Sequence, residues 1–295
     1  MPTDIELAAL LPALTLQHWG DTALDVRPLG GGMNSSTARV RLVSGQYVAK
    51  WVAASFVGGA TAGLAESLQL AERGLATGAP LPTASGALCV DLDEGVLALL
   101  RWVPGAELAG DSPGDQQLIG RTLARAHTLG DPTIEPTRRF FDWFDEDSPY
   151  LDAAPTLRVE VTGALAAYDA LPPLTWGLLH TDPAPEAFRH DPASGDTGLI
   201  DWAGARRGPL LYDVASAVMY LGGPPAARPF LDAYLAAAPL PASELDHLPA
   251  LSRYRGAVQA AYFAERLSRA DLTGTDEAGN RQGLADGLSM LRDLS

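Results

Sequence analysis

Residues 178–213 read LLHTDPAPEAFRHDPASGDTGLIDWAGARRGPLLYD. Two short apolar runs in this stretch end at acids. Leu178-Leu179-His180 leads to Asp182, and Gly198-Leu199-Ile200 leads to Asp201. A Pro- and Asp-rich connection, hairpin-like in composition, joins them. An aspartate at the end of an apolar segment is costly to bury unless it holds something. Two such acids, nineteen positions apart and joined by turns, are expected to face one cleft. One suits the proton or hydroxyl of an attacking group, the other a metal-bound phosphate.

Working outward, the choice of basic residues is uneven. Of 21 basic residues only Lys50 is a lysine. A chain that uses arginine elsewhere and keeps one lysine points to a need for a compact, flexible ammonium at that place. Lys50 lies in Tyr47-Val48-Ala49-Lys50-Trp51-Val52, whose alternation predicts a strand. Residues 24–29 and 37–43 predict two more strands, flanking Gly30-Gly31-Gly32-Met33-Asn34-Ser35-Ser36. Ser44-Gly45-Gln46 then turns the chain into the Lys50 strand. The series predicts an antiparallel sheet with a Gly-rich flap. The flap lacks the G-x-x-x-x-G-K-[ST] phosphate loop, and a plain hairpin turn is its simplest reading. Its glycines and small serines nevertheless let backbone N–H groups come close to phosphates.

Residues 1–20 predict an amphipathic helix capped at Thr3 or Asp4. Residues 59–78 predict a second helix, ended by Gly78, Pro80 and Pro82 and carrying the acids Glu66 and Glu72. Strands follow at 87–90 and 96–103, and Pro104-Gly105 breaks the chain. Composition changes there from strand-rich to helix-rich, which divides the chain into lobes at 1–103 and 104–295. Gly110-Asp111-Ser112-Pro113-Gly114 has the G-x-S-x-G spacing of serine hydrolases. That chemistry uses the N–H of the residue after the serine, and Pro113 has none. A helix start with Asp111 or Ser112 as cap is the reading that remains, and His127 on that helix reads as a packed or surface histidine rather than a catalytic one. Residues 140–150, FFDWFDEDSPY, fit either a cradle for a cationic or hydroxylated ligand or a hydrophobic anchor with an acidic edge. Helices are predicted at 155–171, 214–220, 226–238, 243–267 and 276–294.

With 295 residues and 47% apolar content the chain can bury a large core. A net charge of −15 without a basic run argues against a nucleic-acid partner. No apolar run reaches the ~18 residues of a membrane span. The start, MPTDIELAALLPAL, places acids before its apolar run and does not read as a secretory signal. Cys89 is the lone cysteine, which excludes an intrachain disulfide and fits a reducing cytoplasm.

His180-Thr181-Asp182 followed by Ile200-Asp201-Trp202 resembles the catalytic centre of the aminoglycoside phosphotransferase and choline kinase group, small-molecule kinases with a protein-kinase-like fold. The family pattern is H-x-D-x-x-x-x-N, then an apolar strand ending I-D-W or I-D-F. The Asn position here is Ala187, preceded by Glu186. The resemblance implies an α+β bilobal fold, with a small antiparallel-sheet lobe bearing one main helix and a larger, mostly helical lobe. It implies transfer of the γ-phosphate of ATP, with Mg2+, to a hydroxyl of a small molecule such as an aminoglycoside, an amino alcohol or a sugar-like metabolite. Asp182 would be the catalytic residue, and Asp201 would hold the metal. Gly31, Gly32, Ser35 and Ser36 would cover the phosphates. Lys50 would contact them, held by a helix glutamate, Glu66 by counting back from the Pro-x-Pro ending, with Glu72 as the other choice. Residues 99–103 would form the hinge at the adenine, through Leu100 and Trp102. His180 and Asp213 would brace the catalytic loop. Glu186, a hard oxygen ligand, would stand in for the absent Asn. The missing Asn also motivates the alternative of a nucleotide-binding pseudokinase with little transfer activity. Arg206-Arg207 after the D-W pair favour an anionic or neutral acceptor if they face the cleft. If they face solvent, the acids of residues 142–147 favour a cation.

Overall fold

The structure is a computed structural model that describes residues 2–30, 33–152 and 154–293. In chain order the described elements begin with α1 (Asp4–Trp19), β1 (Ala23–Leu29), β2 (Ser35–Leu42), β3 (Gln46–Ala53), α2 (Val57–Glu72), β4 (Val90–Asp91), β5 (Gly95–Arg101) and β6 (Ala106–Glu107). They continue with α3 (Pro113–Leu129), β7 (Thr133–Glu135), α4 (Pro155–Asp169), β8 (Leu174–Leu179), β9 (Phe188–His190), β10 (Thr197–Leu199) and β11 (Arg206–Pro209). Four helices close the chain: α5 (Leu211–Tyr220), α6 (Arg228–Leu235), α7 (Leu248–Ser268) and α8 (Glu277–Asp293). Packing groups them into two compact units. One comprises Met1–Glu107 with Ala187–Ala205, the other Leu108–Glu186 with Arg206–Ser295.

The first unit is built on an antiparallel sheet of strand order β1-β2-β3-β5-β4. Its register sets Lys50 opposite Thr37 on one side and Ala98 on the other. Helix α1 starts in a capping box: Thr3 Oγ1 accepts from the Glu6 N–H at 3.2 Å, and Glu6 Oε2 accepts from the Thr3 N–H at 2.8 Å. Asp4 turns instead to the sheet, where its Oδ1 accepts from the Thr37 N–H at 2.7 Å. The helix lays Leu7 and Leu11 on Ala38, Val40, Leu42, Trp51 and Leu97, which form the core of this unit. Fully burying each of those large side chains contributes about 1.5–3 kcal/mol. The strand alternation anticipated from the sequence supplies these contacts, because successive residues of β2 point to opposite faces.

Helix α2 is shorter than residues 59–78 suggest. It stops at Glu72, where Gly74 takes a left-handed φ of 90°. The Gly74 N–H donates to the Ala71 C=O at 2.9 Å, and the Leu75 N–H to the Leu70 C=O at 3.0 Å. The chain released at this point has another partner, since the Ala76 C=O accepts from the Leu199 N–H at 2.9 Å. Residues 187–205 thus rejoin the first unit, where β9 pairs with both β10 and β6.

The second unit carries the sheet β11-β8-β7 among helices α3 to α8. Every residue of β8 is buried. Ser112 caps α3, its Oγ accepting from the Asp115 N–H at 3.0 Å, which accounts for the G-x-S-x-G spacing. Of the two readings of residues 140–150, the phenylalanines follow the anchor. Phe140 lies with Tyr168, Tyr212 and Tyr254 at centroid separations of 5.9, 5.2 and 5.5 Å, and Phe144 lies 5.2 Å from Tyr254. The fold is therefore α+β, with an antiparallel-sheet unit and a mostly helical unit. Among the described residues no helix is long and apolar enough to cross a membrane.

Candidate functional site

The first unit encloses a cavity of about 410 Å3. Val48, Ala98, Leu100 and Val103 give it apolar walls, and Lys50 and Asp201 give it charge. Lys50 Nζ donates to Asp201 Oδ1 at 2.6 Å. Lys50 arrives from the middle of β3, a rigid platform. Asp201 arrives from the end of the apolar segment that follows β10, in a left-handed backbone with φ 68°. A non-glycine residue in that region costs of order 1–3 kcal/mol, and such conformations gather at functional sites.

Helix α2 holds the Asp201 segment from one side. A Cβ placed on Gly63 would lie 2.0 Å from the Trp202 carbonyl oxygen, and one on Gly59 would lie 3.2 Å from that of Ala203. Only glycine allows the first approach. Trp202 is fixed in turn by its indole, whose Nε1–H donates to the Leu199 C=O at 2.7 Å. Gly59-x-x-x-Gly63, a small-residue spacing visible in the sequence, was the available signal for this contact.

Five of the residues singled out from the sequence line this cavity together: Ser35, Lys50, Leu100, Trp102 and Asp201. Gly31 and Gly32 lie outside the described residues. Their neighbour Gly30 lines the cavity. Two placements differ from expectation. Ser36 faces away, since β2 alternates, and its hydroxyl donates to the Pro2 C=O. Glu66 forms no ion pair with Lys50; the carboxylate that Lys50 meets is Asp201. The face of α2 that lines the cavity presents Ala60, Gly63, Leu64 and Ser67, and Glu66 lies off it. Trp102 has its ring under the Arg39 guanidinium, 4.5 Å from Cζ to centroid, and its backbone N–H donates to the Gln46 C=O at 3.1 Å.

In the second unit Asp182 follows β8. Its Oδ1 accepts from the Tyr220 hydroxyl at 2.5 Å and from Arg255 Nη2 at 3.1 Å. Partial burial pushes the Tyr220 phenol above its ordinary pKa, so the hydroxyl remains a donor. Thr181, like Asp201, has a left-handed backbone, with φ 76°. The buried Asp213 carboxylate shapes this turn. It accepts from the His180 N–H at 2.7 Å and the Thr181 N–H at 2.8 Å, and meets His127 Nε2 at 3.1 Å. His127 Nδ1 is 2.7 Å from the Tyr234 hydroxyl. Burial, with the charges of Asp213 and Glu244, holds the Tyr234 phenol well above its ordinary pKa. An ionised carboxylate only accepts, so His127 Nε2–H faces Asp213, and in the neutral imidazole Nδ1 is left to accept from the Tyr234 hydroxyl. The loop-bracing partner of Asp213 is thus accompanied by His127 and Tyr234, residues whose contact no local sequence pattern announces.

Glu186 lies on a short 3-10 turn, Pro185–Ala187. Ala187 is buried, and its carbonyl accepts from the Ile200 N–H at 2.9 Å. Arg206 spreads its guanidinium over the Phe141 ring at 4.5 Å, and its Nη1 donates to the Phe140 C=O at 3.2 Å. Arg207 pairs with Glu135 at 2.6 Å. Two of the four acids of residues 142–147 are engaged as well: Arg139 pairs with Glu146 at 2.7 Å and Asp145 at 3.6 Å. Among the described residues no three His, Cys, Asp or Glu side chains gather as a metal cage. A magnesium ion held by one or two carboxylates and by substrate phosphates requires no such cage.

Residues 25–269 match the model of the phosphotransferase enzyme family. An uncharacterized protein of Deinococcus radiodurans is 30% identical over 299 residues, which cover 91% of this chain and 84% of that one. A homoserine kinase of Rhizobium etli is 30% identical over 206 residues, 62% of each chain. Among solved structures, an amicoumacin kinase in complex with AMP-PNP, Ca2+ and Ami superposes with a TM-score of 0.70 at 14% identity, covering 97% of this chain and 92% of that one. The microcompartment-associated aminopropanol kinase gives 0.69 at 18% identity, covering 96% and 95%. These likenesses are likenesses of fold, and the fold is the protein-kinase-like one that the HTD and IDW segments implied. With five sixths of its length inside the family match, the chain belongs to the phosphotransferase enzyme family, small-molecule kinases whose acceptors are hydroxyl groups.

Proposed function

We infer that the protein moves the γ-phosphate of ATP, with magnesium, to an alcohol of a small hydroxylated metabolite. The observation that carries this reading is the Lys50–Asp201 pair, 2.6 Å apart, on the wall of a 410 Å3 cavity that is otherwise largely apolar. That volume lies within the ~300–1,000 Å3 of small-ligand sites. Apolar walls suit a purine, and an ammonium beside a carboxylate suits a phosphate chain and its metal.

In this reading the first unit binds the nucleotide and the second presents the acceptor. Val48, Ala98 and Leu100 hold the base. An ammonium has three N–H donors, so Lys50 keeps two for phosphate oxygens while one meets Asp201. Gly30 and Ser35, on the cavity wall, lie beside the phosphates. Asp201, rather than Glu66, is the carboxylate that orients Lys50, and it also holds the metal. Magnesium, when bound, neutralises charge that develops on the transferring phosphoryl group. Glu186 supplies the oxygen ligand that Ala187 lacks. Asp182 accepts the hydrogen of the acceptor hydroxyl and points its oxygen at phosphorus. Catalysis of this kind is largely positioning and charge stabilisation. The lone free Cys89 fits a reducing cytoplasm.

For the acceptor we favour a small amino alcohol over a polycationic antibiotic. The likeness to homoserine kinase, named for a small acceptor that likewise carries one amine and one alcohol, supports this. So does the use of Glu146 and Asp145 by Arg139, which leaves less negative charge for a polycation. Ala187 favours one other reading, a nucleotide-binding pseudokinase. The test is turnover of ATP with magnesium across amino alcohols, hydroxy amino acids, sugars and aminoglycosides, for the wild type and Asp182→Asn. Phosphorylation of an amino alcohol that disappears in the variant supports the transfer reading. ATP binding without turnover of any acceptor supports the pseudokinase.

A further inference from the structure

Arg255 is a buried arginine whose carboxylate partner is an exposed aspartate. Its side chain is 8% exposed, and that of Asp182 is 62% exposed. Taking a guanidinium out of water is costly unless its charge and its N–H groups are met. The fold meets all three directions of Arg255. Nε donates to Ser216 Oγ at 3.0 Å, Nη1 to Gln259 Oε1 at 3.2 Å, and Nη2 to Asp182 Oδ1 at 3.1 Å. Two of these partners come from α5 and α7, and the third from the loop after β8. Tyr220, at the end of α5, adds a second donor to the same oxygen, 2.5 Å away, and its own hydroxyl lies 3.3 Å from Arg255 Nη2.

Both donors converge on Oδ1, and neither is bonded to Oδ2. An exposed aspartate has several rotamers open to it, and two bonds to one oxygen select one. We propose that Arg255 and Tyr220 are positioning residues for phosphoryl transfer, a clamp that takes Oδ1 of Asp182 and leaves Oδ2 aimed at the acceptor hydroxyl. The inference rests on the role proposed above for Asp182. It adds that the aim of this carboxylate is set from α5 and α7, and that Arg255 is consumed by the clamp and is not the anchor of an acidic acceptor. Gln259 and Ser216 belong to the device as the groups that hold Arg255 itself.

The test is turnover of magnesium ATP with water as the acceptor, beside calorimetric binding of the same nucleotide. Variants are Tyr220→Phe, Arg255→Gln, Asp182→Asn and the two double variants with Asp182→Asn. Tyr220→Phe removes a hydroxyl from a residue 39% exposed and keeps the ring, so it tests the clamp even if Arg255→Gln fails to fold. Hydrogen bonds to charged groups are strong enough that kcat is expected to fall about tenfold in Tyr220→Phe and further in Arg255→Gln, with KM for ATP and nucleotide binding unchanged. On the Asp182→Asn background neither change is expected to add a loss, because residues acting through one group are not additive. A purely structural role predicts additive losses. Full kcat in both single variants, or additive losses in the double variants, overturns the clamp while leaving Asp182 in place. Nucleotide binding with no turnover in the wild type, with water or with any alcohol of the panel above, overturns the transfer reading, and the clamp with it.

Discussion

Lys50 Nζ and Asp201 Oδ1 are separated by 151 residues in the chain and by 2.6 Å in the structure. The pair closes because two unrelated segments enter one sheet-based unit. The β3 strand carries Lys50 between β2 and β5, and the β9–β10 hairpin returns to β6 and to the Ala76 carbonyl. Everything proposed for the nucleotide depends on that return.

Gly63 is the point where the return is tightest. A methyl group there meets the Trp202 carbonyl oxygen at 2.0 Å, and backbone on both sides has little room to yield. Gly63→Ala is expected to destabilise the protein by about 1–3 kcal/mol, the range of overpacking. It is also expected to raise KM for ATP, since Asp201 moves with Trp202. Urea denaturation and ATP kinetics measure both. The helix propensity of alanine works in the opposite direction, so an unchanged or raised midpoint would mean that the approach is looser than described.

Tyr234 tests the loop brace. Tyr234→Phe removes the donor to His127 Nδ1 in a site where both residues are buried. Leaving a buried acceptor without its bond costs about 1–3 kcal/mol. Because His127 then loses the contact that keeps its other nitrogen turned to Asp213, kcat is expected to fall with stability. Thermal unfolding and initial rates check this. Full activity at reduced stability would confine the Asp213 network to a structural role.

Glu135 provides a pH signature. The Thr133 hydroxyl, then Arg207 and Arg138, hold its carboxyl at about 2 against an ordinary value near 4.5. A folded-state value below the unfolded one adds stability that is complete above about pH 4.5 and is lost as pH falls toward 2. The Arg207 partner ties β11 to β7 beside β8, the strand leading to Asp182. Wild type is therefore expected to be more stable than Glu135→Gln at neutral pH, with the gap narrowing below pH 4.5. Urea midpoints at a series of pH values measure it. A gap that does not change with pH would contradict the account.

The two aspartates are legible in the sequence because an acid at the end of an apolar run is rare without a task, and Lys50 because it stands alone among arginines. Strand alternation likewise foretells the sheet and the face that Lys50 shares with Thr37 and Ala98. What the sequence does not disclose is long-range pairing. The family resemblance implies Glu66, or else Glu72, as the partner of Lys50, and the structure gives that partner as Asp201, because the close approach of α2 presents glycine and serine to the cavity. Ser36 reads as a loop residue and belongs to a strand, so its hydroxyl turns to the other face. Residues 140–150 balance two readings until their phenylalanines are seen packed on tyrosines from three distant helices. Arg255 carries no local mark at all: nothing in a helix announces that one arginine will be buried against Asp182.

The central claim is that Lys50 and Asp201 hold the phosphates and metal of a nucleotide. Calorimetric titration of ATP into the wild type, Lys50→Met and Asp201→Asn, with and without magnesium, tests it most directly. The account predicts saturable binding by the wild type that tightens with magnesium. It predicts binding at least about tenfold weaker in Lys50→Met, as for loss of a charge-assisted bond, and loss of the magnesium effect in Asp201→Asn. No binding by the wild type, or binding indifferent to both substitutions, would contradict it.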